Sequence, residues 1–174
     1  GWSQCRGSAA VLSALLEFPG PLLLDADALN TAAREPQRWL RHGKTVITPH
    51  PGEAKRLAEA FGVPQFEDRT NFALALAAKL DAVTVLKGPH TVVADPSGRW
   101  SLNTSGCAAL ATAGSGDVLA GIIGALLAGN PEHPFEMAKL GVFLHGLAGE
   151  TGKAGLIADD LPEFAAEAKA RLTR

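Results

Sequence analysis

Short apolar runs alternate with segments of helical periodicity, and this alternation limits the possible folds most strongly. Three such runs, "PLLLD", "KTVIT" and "DAVTVLKG", each stand between segments in which apolar residues recur at helical spacing. Runs that are apolar along their whole length are typical of strands buried on both faces of a parallel sheet. The sequence therefore predicts an α/β fold with a mainly parallel central sheet flanked by helices.

Helical periodicity covers most of the remaining chain. "HTVVADPSGRWSLN" is the exception, because two β-rich segments flank the turn residues Asp95-Pro96-Ser97-Gly98, which predicts a hairpin. We expect helices, in chain order, at residues 4–17, in "ALNTAA" and "EPQRWLRHG", and at residues 52–60, 67–80, 116–128, 134–150 and 160–172.

Composition excludes several classes of function. The 174 residues are 47% hydrophobic and 20% charged, and this length predicts one domain over residues 1–174. A formal net charge of −2 gives no electrostatic case for binding nucleic acid or an anionic membrane, and no apolar run reaches the length of a membrane span. The two cysteines indicate free thiols of a cytoplasmic protein, and the histidines and cysteines form no zinc pattern.

Polar side chains follow the ends of the predicted strands, where ligands bind in open α/β sheets. "DAD" places Asp25 and Asp27 after the first strand. We expect Asp27 to cap the next helix, whereas Asp25 remains available to a polar ligand or a magnesium-bound water. In "TPHPGE", His50 stands between two prolines that restrict its backbone. Two hypotheses follow for His50: an imidazole held in place for a ligand, or a rigid loop with a helix cap.

The segment "LATAGSGDVLAG" combines glycines, one acid and a helix start. Gly114 and Gly116 allow close approach of a ligand to the backbone, and the unpaired N–H groups of the helix start form an anion site. Asp117 could then take a proton from a hydroxyl that attacks phosphorus. The alternative is an acid that caps the helix. The Lys-Ser/Thr pair of a Walker motif is missing here.

Two further segments remain open. Lys87 and Gly88 in "VLKGPHT" are compatible with an anion-binding turn and also with an ordinary strand end. His145 in "GVFLHGLAGE" is expected to be a packed histidine or a contact between helices. Cys107 is interpreted as a small apolar residue with a potentially reactive thiol.

The order of these motifs resembles one family. The segments "LLLDADALN", "VITPHPGEAKRL", "VTVLKGPHTVVA", "NTSGCAALATAGSGDVLAGIIGALLAG", "GVFLHGLAGE" and "GLIADDLPE" follow one another along nearly the whole chain. They resemble the ATP/ADP-dependent NAD(P)H-hydrate dehydratases, which belong to the ribokinase-like superfamily. The resemblance implies a three-layer ribokinase-like fold.

The resemblance also implies a reaction. Its substrates are NADH or NADPH hydrated on the nicotinamide ring (NADHX and NADPHX). ATP or ADP, with Mg²⁺, phosphorylates the new hydroxyl, and loss of phosphate restores the ring. It further implies an NAD(P)H-hydrate epimerase as partner or fusion, and a homo-tetramer.

The resemblance assigns roles to individual residues. Asp117 contacts the substrate and is the catalytic base. His50 and Gly1 are substrate-binding residues, with Gly1 as the last glycine of a "GPGLG" motif. The nucleotide-binding residues are Lys87, Gly88, Pro89, His90, Thr91 and Gly116.

The family has earlier strands before "GPGLG", so we expect a sheet that lacks its N-terminal strands. Two other functions remain open. One is a small-molecule kinase of the same superfamily that acts on a hydroxymethylpyrimidine or thiazole alcohol. The other is a non-catalytic nucleotide-binding or assembly domain.

Overall fold

Five short strands form one mixed sheet in the computed structural model, which describes residues 7–39, 44–64, 66–152 and 155–172. The strands are β1 (Leu22–Leu24), β2 (Thr45–Ile47), β3 (Val83–Leu86), β4 (Val92–Ala94) and β5 (Trp100–Leu102), and their spatial order follows the chain. β1, β2 and β3 pair in parallel, while β4 pairs antiparallel with both β3 and β5. Only β4 therefore runs against the other strands, which confirms the mainly parallel sheet and the hairpin.

The predicted helices are present with small shifts at their ends, except the one expected in "EPQRWLRHG". They are α1 (Ser8–Leu16), α2 (Asp27–Arg34), α3 (Pro51–Phe61), α4 (Arg69–Leu80), α5 (Ser115–Gly129), α6 (Pro134–Gly152) and α7 (Leu161–Leu172). "EPQRWLRHG" contains only a 3-10 turn, Pro36–Arg38, among its described residues. Two more 3-10 turns, Ala108–Leu110 and Ala158–Asp160, were not predicted, because a single turn has no periodicity to detect. Within the described ranges, no helix is long and apolar enough to cross a bilayer.

Alternate strand residues face two separate helix layers, as the two-residue period of a strand requires. Ile47 packs into a cluster with residues of α1 to α4, such as Leu57. Its neighbour Val46 belongs to a second cluster with Ile123 of α5 and Val142 of α6. α7 packs outside α6 through a third, smaller cluster. Helices therefore cover both faces of the sheet, and the predicted three-layer fold is confirmed.

The Asp95 carboxylate stabilises the turn between β4 and β5 through hydrogen bonds. Asp95 Oδ1 accepts hydrogen bonds from the N–H and O–H of Ser97 and from the N–H of Arg99, while Oδ2 accepts from Arg99 Nε at 2.6 Å. Burial alone would raise the pKa of Asp95, but these hydrogen bonds and the charge of Arg99 outweigh it and hold the pKa below 3.8. The Arg99 guanidinium also lies 4.5 Å from the ring centre of Phe135, which ties the hairpin to α6.

Glycine permits the close contact between α5 and α6. A Cβ added at Gly141 would lie 2.5 Å from Ile123 Cγ1 and 3.3 Å from Ile123 Cα. Ile123 is completely buried, so neither its side chain nor its backbone can move away freely. A Cβ added at Gly124, by contrast, would meet no atom within 4 Å.

We therefore predict opposite effects of the same substitution at two helical glycines. Gly141→Ala forces the two helices apart, and we expect it to lower the free energy of unfolding by about 1–3 kcal/mol. Gly124→Ala only restricts the unfolded chain, and we expect it to raise stability by up to about 1 kcal/mol. Thermal unfolding of the whole protein that contains this chain tests both. Equal changes of the melting temperature in the two variants would contradict the expected clash between residue 141 and Ile123.

Candidate functional site

The ends of the three parallel strands meet at the side chain of Lys87. Lys87 follows β3, and its Nζ lies 2.8 Å from Oδ1 of Asp25, which follows β1. Nζ is also 3.9 Å from Oε2 of Glu53 on α3, after β2. A Cβ at Gly116, on the first turn of α5, would lie 3.6 Å from the same ammonium. The strand ends and the glycine segment therefore converge, as the motif order predicts.

His50 caps α3 with its own side chain. Nδ1 accepts hydrogen bonds from the N–H groups of Gly52 at 2.9 Å and Glu53 at 3.4 Å, and the Glu53 carboxylate accepts from the His50 N–H at 2.7 Å. Because Nδ1 accepts, the neutral ring carries its hydrogen on Nε2, 3.5 Å from Glu53 Oε1. Half of the imidazole is exposed to solvent. The helix-cap hypothesis for His50 is therefore confirmed, and capping fixes the orientation of the ring, while its role toward a ligand stays a prediction.

Asp27 does not cap α2, so that prediction was wrong. α2 begins at Asp27, and the residue before it is Ala26, which has φ 49° and no capping side chain. A capping residue must lie outside the helix with a non-helical backbone. Asp27 instead contributes its charge to the first turn of α2, near the positive end of the helix dipole.

In the loop from Lys87 to Thr91, the Lys87 N–H donates to the Pro49 carbonyl at 2.9 Å, but the N–H groups that follow it are unpaired among the described residues. Gly88 has φ 145° and His90 has φ 53°, which bends the loop sharply on either side of Pro89. Among the described residues, the N–H groups of Gly88, His90 and Thr91 have no acceptor. Successive unpaired N–H groups in such a bend form an anion-binding concavity.

The start of α5 provides a second group of unpaired donors. Gly114, with φ 85°, precedes the helix, so the hypothesis that Asp117 caps it is wrong. The N–H groups of Gly116 and Asp117 have no acceptor in the described part of the chain. The carboxylate of Asp117 is exposed and likewise has no partner there. A negatively charged group is stabilised at this helix end by the dipole and the free donors.

These two groups of donors border one cleft of about 520 Å³. All six predicted nucleotide-binding residues line it: Lys87, Gly88, Pro89, His90, Thr91 and Gly116. His50 and Asp117 are not among the lining residues. Asp117 adjoins the cleft as the residue after Gly116, and His50 is linked to it through Glu53 and Lys87. Gly1 lies outside the described residues.

The opposite wall of the cleft was not predicted. It is formed by the segment after β5, from Asn103 to Ala108, and by Gly146 of α6. Ser105 Oγ and Asn103 Oδ1 are 2.9 Å apart, and a Cβ at Gly146 would lie 2.0 Å from Ser105 Oγ. The one signal in the sequence is the run of small polar residues "NTSG" directly after the hairpin. Cys107 also lines the cleft, and its thiol donates to the Gly149 carbonyl at 3.2 Å.

His145 contacts the first residue of α5 through its imidazole. Its Nε2 lies 3.0 Å from both the hydroxyl and the carbonyl oxygen of Ser115, the first residue of α5. This is the contact between helices that the sequence analysis expected as one possibility. Burial lowers the pKa of His145 below 6.5, although the hydrogen bond with the Ser115 backbone acts in the opposite direction.

The lowered pKa of His145 predicts a loss of stability in acid. Below about pH 6.5 the unfolded chain binds a proton at this histidine before the folded chain does, so the free energy of unfolding falls as pH decreases. Well above pH 6.5 the histidine is neutral in both states and has no effect, and the loss of stability accumulates as the pH falls from the unfolded-state pKa to the folded-state pKa. We expect His145→Gln to show a shallower decrease between pH 7.5 and 5 in denaturant unfolding. If the free energy of unfolding fell equally with pH in the wild type and in His145→Gln, the assignment of this pH dependence to His145 would be wrong.

Metal-binding residues are not clustered in the described ranges, where no group of three or more His, Cys, Asp or Glu side chains could hold a metal ion. Acids near the cleft include Asp25, Glu53 and Asp117, and Lys87 is the cation between the first two. The site therefore has more negative than positive formal charge from these side chains.

Comparison with known proteins gives a consistent result. The family model Carb_kinase, described as NAD(P)H-hydrate dehydratase, matches residues 2–170. The chain is 43% identical to the ADP-dependent (S)-NAD(P)H-hydrate dehydratase of Neisseria meningitidis serogroup B, covering 100% of this chain and 62% of that protein. It is 44% identical to the bifunctional NAD(P)H-hydrate repair enzyme Nnr of Moorella thermoacetica, covering 83% of this chain and 28% of that protein.

Solved structures agree with the fold. The ADP/ATP-dependent NAD(P)H-hydrate dehydratase from Bacillus subtilis, co-crystallized with ATP/Mg²⁺, superposes with a TM-score of 0.79 at 31% identity, covering 98% of this chain and 62% of that one. A ribokinase-like superfamily protein from Enterococcus faecalis gives a TM-score of 0.77 at 24% identity, covering 95% and 60%, which supports the fold alone. The chain thus spans less than two thirds of the length of these relatives. With this fold and these matches, the chain belongs to the NAD(P)H-hydrate dehydratase family.

Proposed function

We propose that this chain carries the nucleotide site and the catalytic base of an ADP- or ATP-dependent dehydratase that repairs hydrated NADH and NADPH. The observation that carries the proposal is the cleft itself. Two sets of backbone N–H groups that have no acceptor in the described part of the chain border it, one on the Lys87–Thr91 loop and one at the start of α5, and Asp117 stands beside them. The relatives' names favour this activity over a kinase for a pyrimidine or thiazole alcohol.

The backbone would hold the phosphates of the nucleotide. The donors are the N–H groups of Gly88, His90 and Thr91 on one side and those of Gly116 and Asp117 on the other. Lys87 Nζ lies next to Gly116 and adds a positive charge between them. Donors fixed before the reaction stabilise charge that develops on the transferred phosphoryl group without further reorganisation.

Asp117 would act as the base. The substrate hydroxyl attacks the terminal phosphorus, its proton passes to the Asp117 carboxylate, and the bond between phosphorus and the bridging oxygen of the nucleotide breaks. The phosphate ester then loses phosphate with the electrons of the C–O bond, while the ring releases a proton. The net change in the substrate is loss of water, and the nicotinamide ring is restored.

His50 would orient the substrate. Since Nδ1 accepts backbone hydrogen bonds, the exposed Nε2–H is the donor that this ring can offer to a carbonyl or hydroxyl. The capping geometry limits rotation of the ring, so little conformational entropy is lost on binding. The substrate role of Gly1 remains a prediction from the family resemblance.

Mg²⁺ fits the site as an ion held mainly by the nucleotide. Mg²⁺ commonly binds through one or two carboxylates, water and substrate phosphates. Asp25 and Glu53 are the carboxylates that could hold its water shell, and both lie against Lys87. Bound there, the ion would neutralise phosphate charge that Asp25, Glu53 and Asp117 otherwise repel.

The remaining expectations stay proposals for the whole protein: a single domain over residues 1–174, a homo-tetramer, and an NAD(P)H-hydrate epimerase as partner or fusion. The bifunctional relatives, of which this chain matches about a quarter, support a second activity elsewhere in such proteins. The free thiol of Cys107 is compatible with the proposed cytoplasmic location.

Substitution of Asp117 separates catalysis from binding. Asp117→Asn cannot accept the proton, and we expect kcat to fall by about 10²–10⁴-fold. Nucleotide affinity should be unchanged or slightly higher, because a negative charge near the phosphates is removed. The assay follows recovery of the absorbance of the reduced nicotinamide ring from hydrated NADPH with ADP and Mg²⁺, in the whole protein.

Glu163→Gln is the matched control, because Glu163 is an exposed acid in the first turn of α7. It should leave turnover unchanged. Unchanged turnover in Asp117→Asn would show that the assignment of the base is wrong. Failure of the wild-type protein to restore the absorbance with either ADP or ATP would overturn the dehydratase proposal.

A further inference from the structure

Arg69 binds the outer side of the Lys87–Thr91 loop. It is the first residue of α4 and is partly buried. One terminal nitrogen of its guanidinium donates to the carbonyl oxygens of Leu86 and Lys87, each at 3.1 Å, and the other donates to the carbonyl of Pro89. A single side chain thus contacts the backbone at three positions within four residues.

These contacts decide which way the peptide groups of the loop point. The remaining carbonyl, that of Gly88, accepts from Thr91 Oγ1 at 3.1 Å. All four carbonyls from residue 86 to residue 89 are therefore bound by side chains of the protein. The N–H groups of Gly88, His90 and Thr91 have no acceptor among the described residues and remain for a ligand.

The backbone of this loop needs such support. His90 has φ 53°, a conformation that residues with a Cβ rarely adopt, and Gly88 has φ 145°. A Cβ at Gly88 would lie 2.8 Å from the Arg69 guanidinium, so the planar group packs where a side chain would otherwise be. Arg69 thereby stabilises a loop shape that its own residues do not favour.

We infer that Arg69 is a positioning residue: it holds the loop in the shape that binds the nucleotide and acts on the nucleotide only through the loop. This inference rests on the proposed nucleotide site. Arg69 is not one of the cleft-lining residues, and both of its terminal nitrogens already donate to carbonyls. Its charge also draws the carbonyl ends of these peptides outward, which leaves the positive N–H ends toward the phosphates.

Arg69→Lys tests the geometry of the guanidinium. A lysine ammonium keeps the charge but cannot match the planar fork that spans three carbonyls. We expect the Kd and the KM for ADP to rise by about ten- to a hundredfold, while kcat at saturating ADP stays within about threefold. Binding of ADP with Mg²⁺ is measured by calorimetry on the whole protein. The matched control is Arg171→Lys, because Arg171 is exposed and, within the described ranges, pairs only with Glu167 on its own helix.

Arg69→Ala distinguishes positioning from a general structural role. Guanidinium ion at low millimolar concentration should restore ADP affinity to this variant and leave the wild type unchanged. The inference is overturned if Arg69→Lys binds ADP like the wild type, or if guanidinium restores thermal stability to Arg69→Ala without restoring affinity. If the wild-type protein itself does not bind ADP, the proposed nucleotide site fails, and that outcome is distinct from either result with the variants.

Discussion

The ion pair between Lys87 and Asp25 is the contact on which the geometry of the site depends. It joins the ends of β3 and β1, across the intervening strand β2, and Glu53 after β2 approaches the same ammonium. These side chains are largely shielded from water, so each charge needs a nearby partner. Removing Lys87 would leave two shielded carboxylates without a compensating charge. The attraction between these charges therefore holds the ends of the three strands together. It also fixes Lys87 in a position next to the start of α5.

The site combines two opposed electrostatic environments. Backbone N–H groups on the Lys87–Thr91 loop and on α5 attract an anion, whereas Asp25, Glu53 and Asp117 repel one. This opposition suits phosphoryl transfer, because a base must stand close to a phosphate without binding it. Fixed backbone donors are available to the phosphate at no cost in side-chain entropy. Two side chains hold these donors in place: His145 contacts the first residue of α5, and Arg69 binds the carbonyl groups of the loop.

Helices, strands and the hairpin, which depend on residues adjacent in the chain, were predicted well. The cap of α2, which depends on the backbone angle of one residue, was not. The helices and strands follow from periodicity and turn residues, and the hairpin follows from the run Asp95–Gly98. The assignment of Asp27 as a cap was wrong because α2 begins at Asp27 itself, one residue earlier than a cap at this position requires. The competing hypotheses for His50 could not be separated from sequence, since one ring both caps α3 and presents Nε2. Arg69 carried no signal, because its carbonyl partners are 17 to 20 residues away.

The sequence by itself determined the order of strands and helices, the glycine-rich start of α5, and the residues that resemble one family. These properties depend on local periodicity and on residues adjacent in the chain, so they can be read without coordinates. The tertiary structure decided which of these residues meet. It brought Lys87 to Asp25 across 62 residues of chain and closed the cleft with the segment after β5. It also left the N–H groups of Gly88, His90 and Thr91 without an acceptor in the part of the chain that the structure describes. Such contacts arise from the packing of distant segments, and no local pattern in the sequence encodes them.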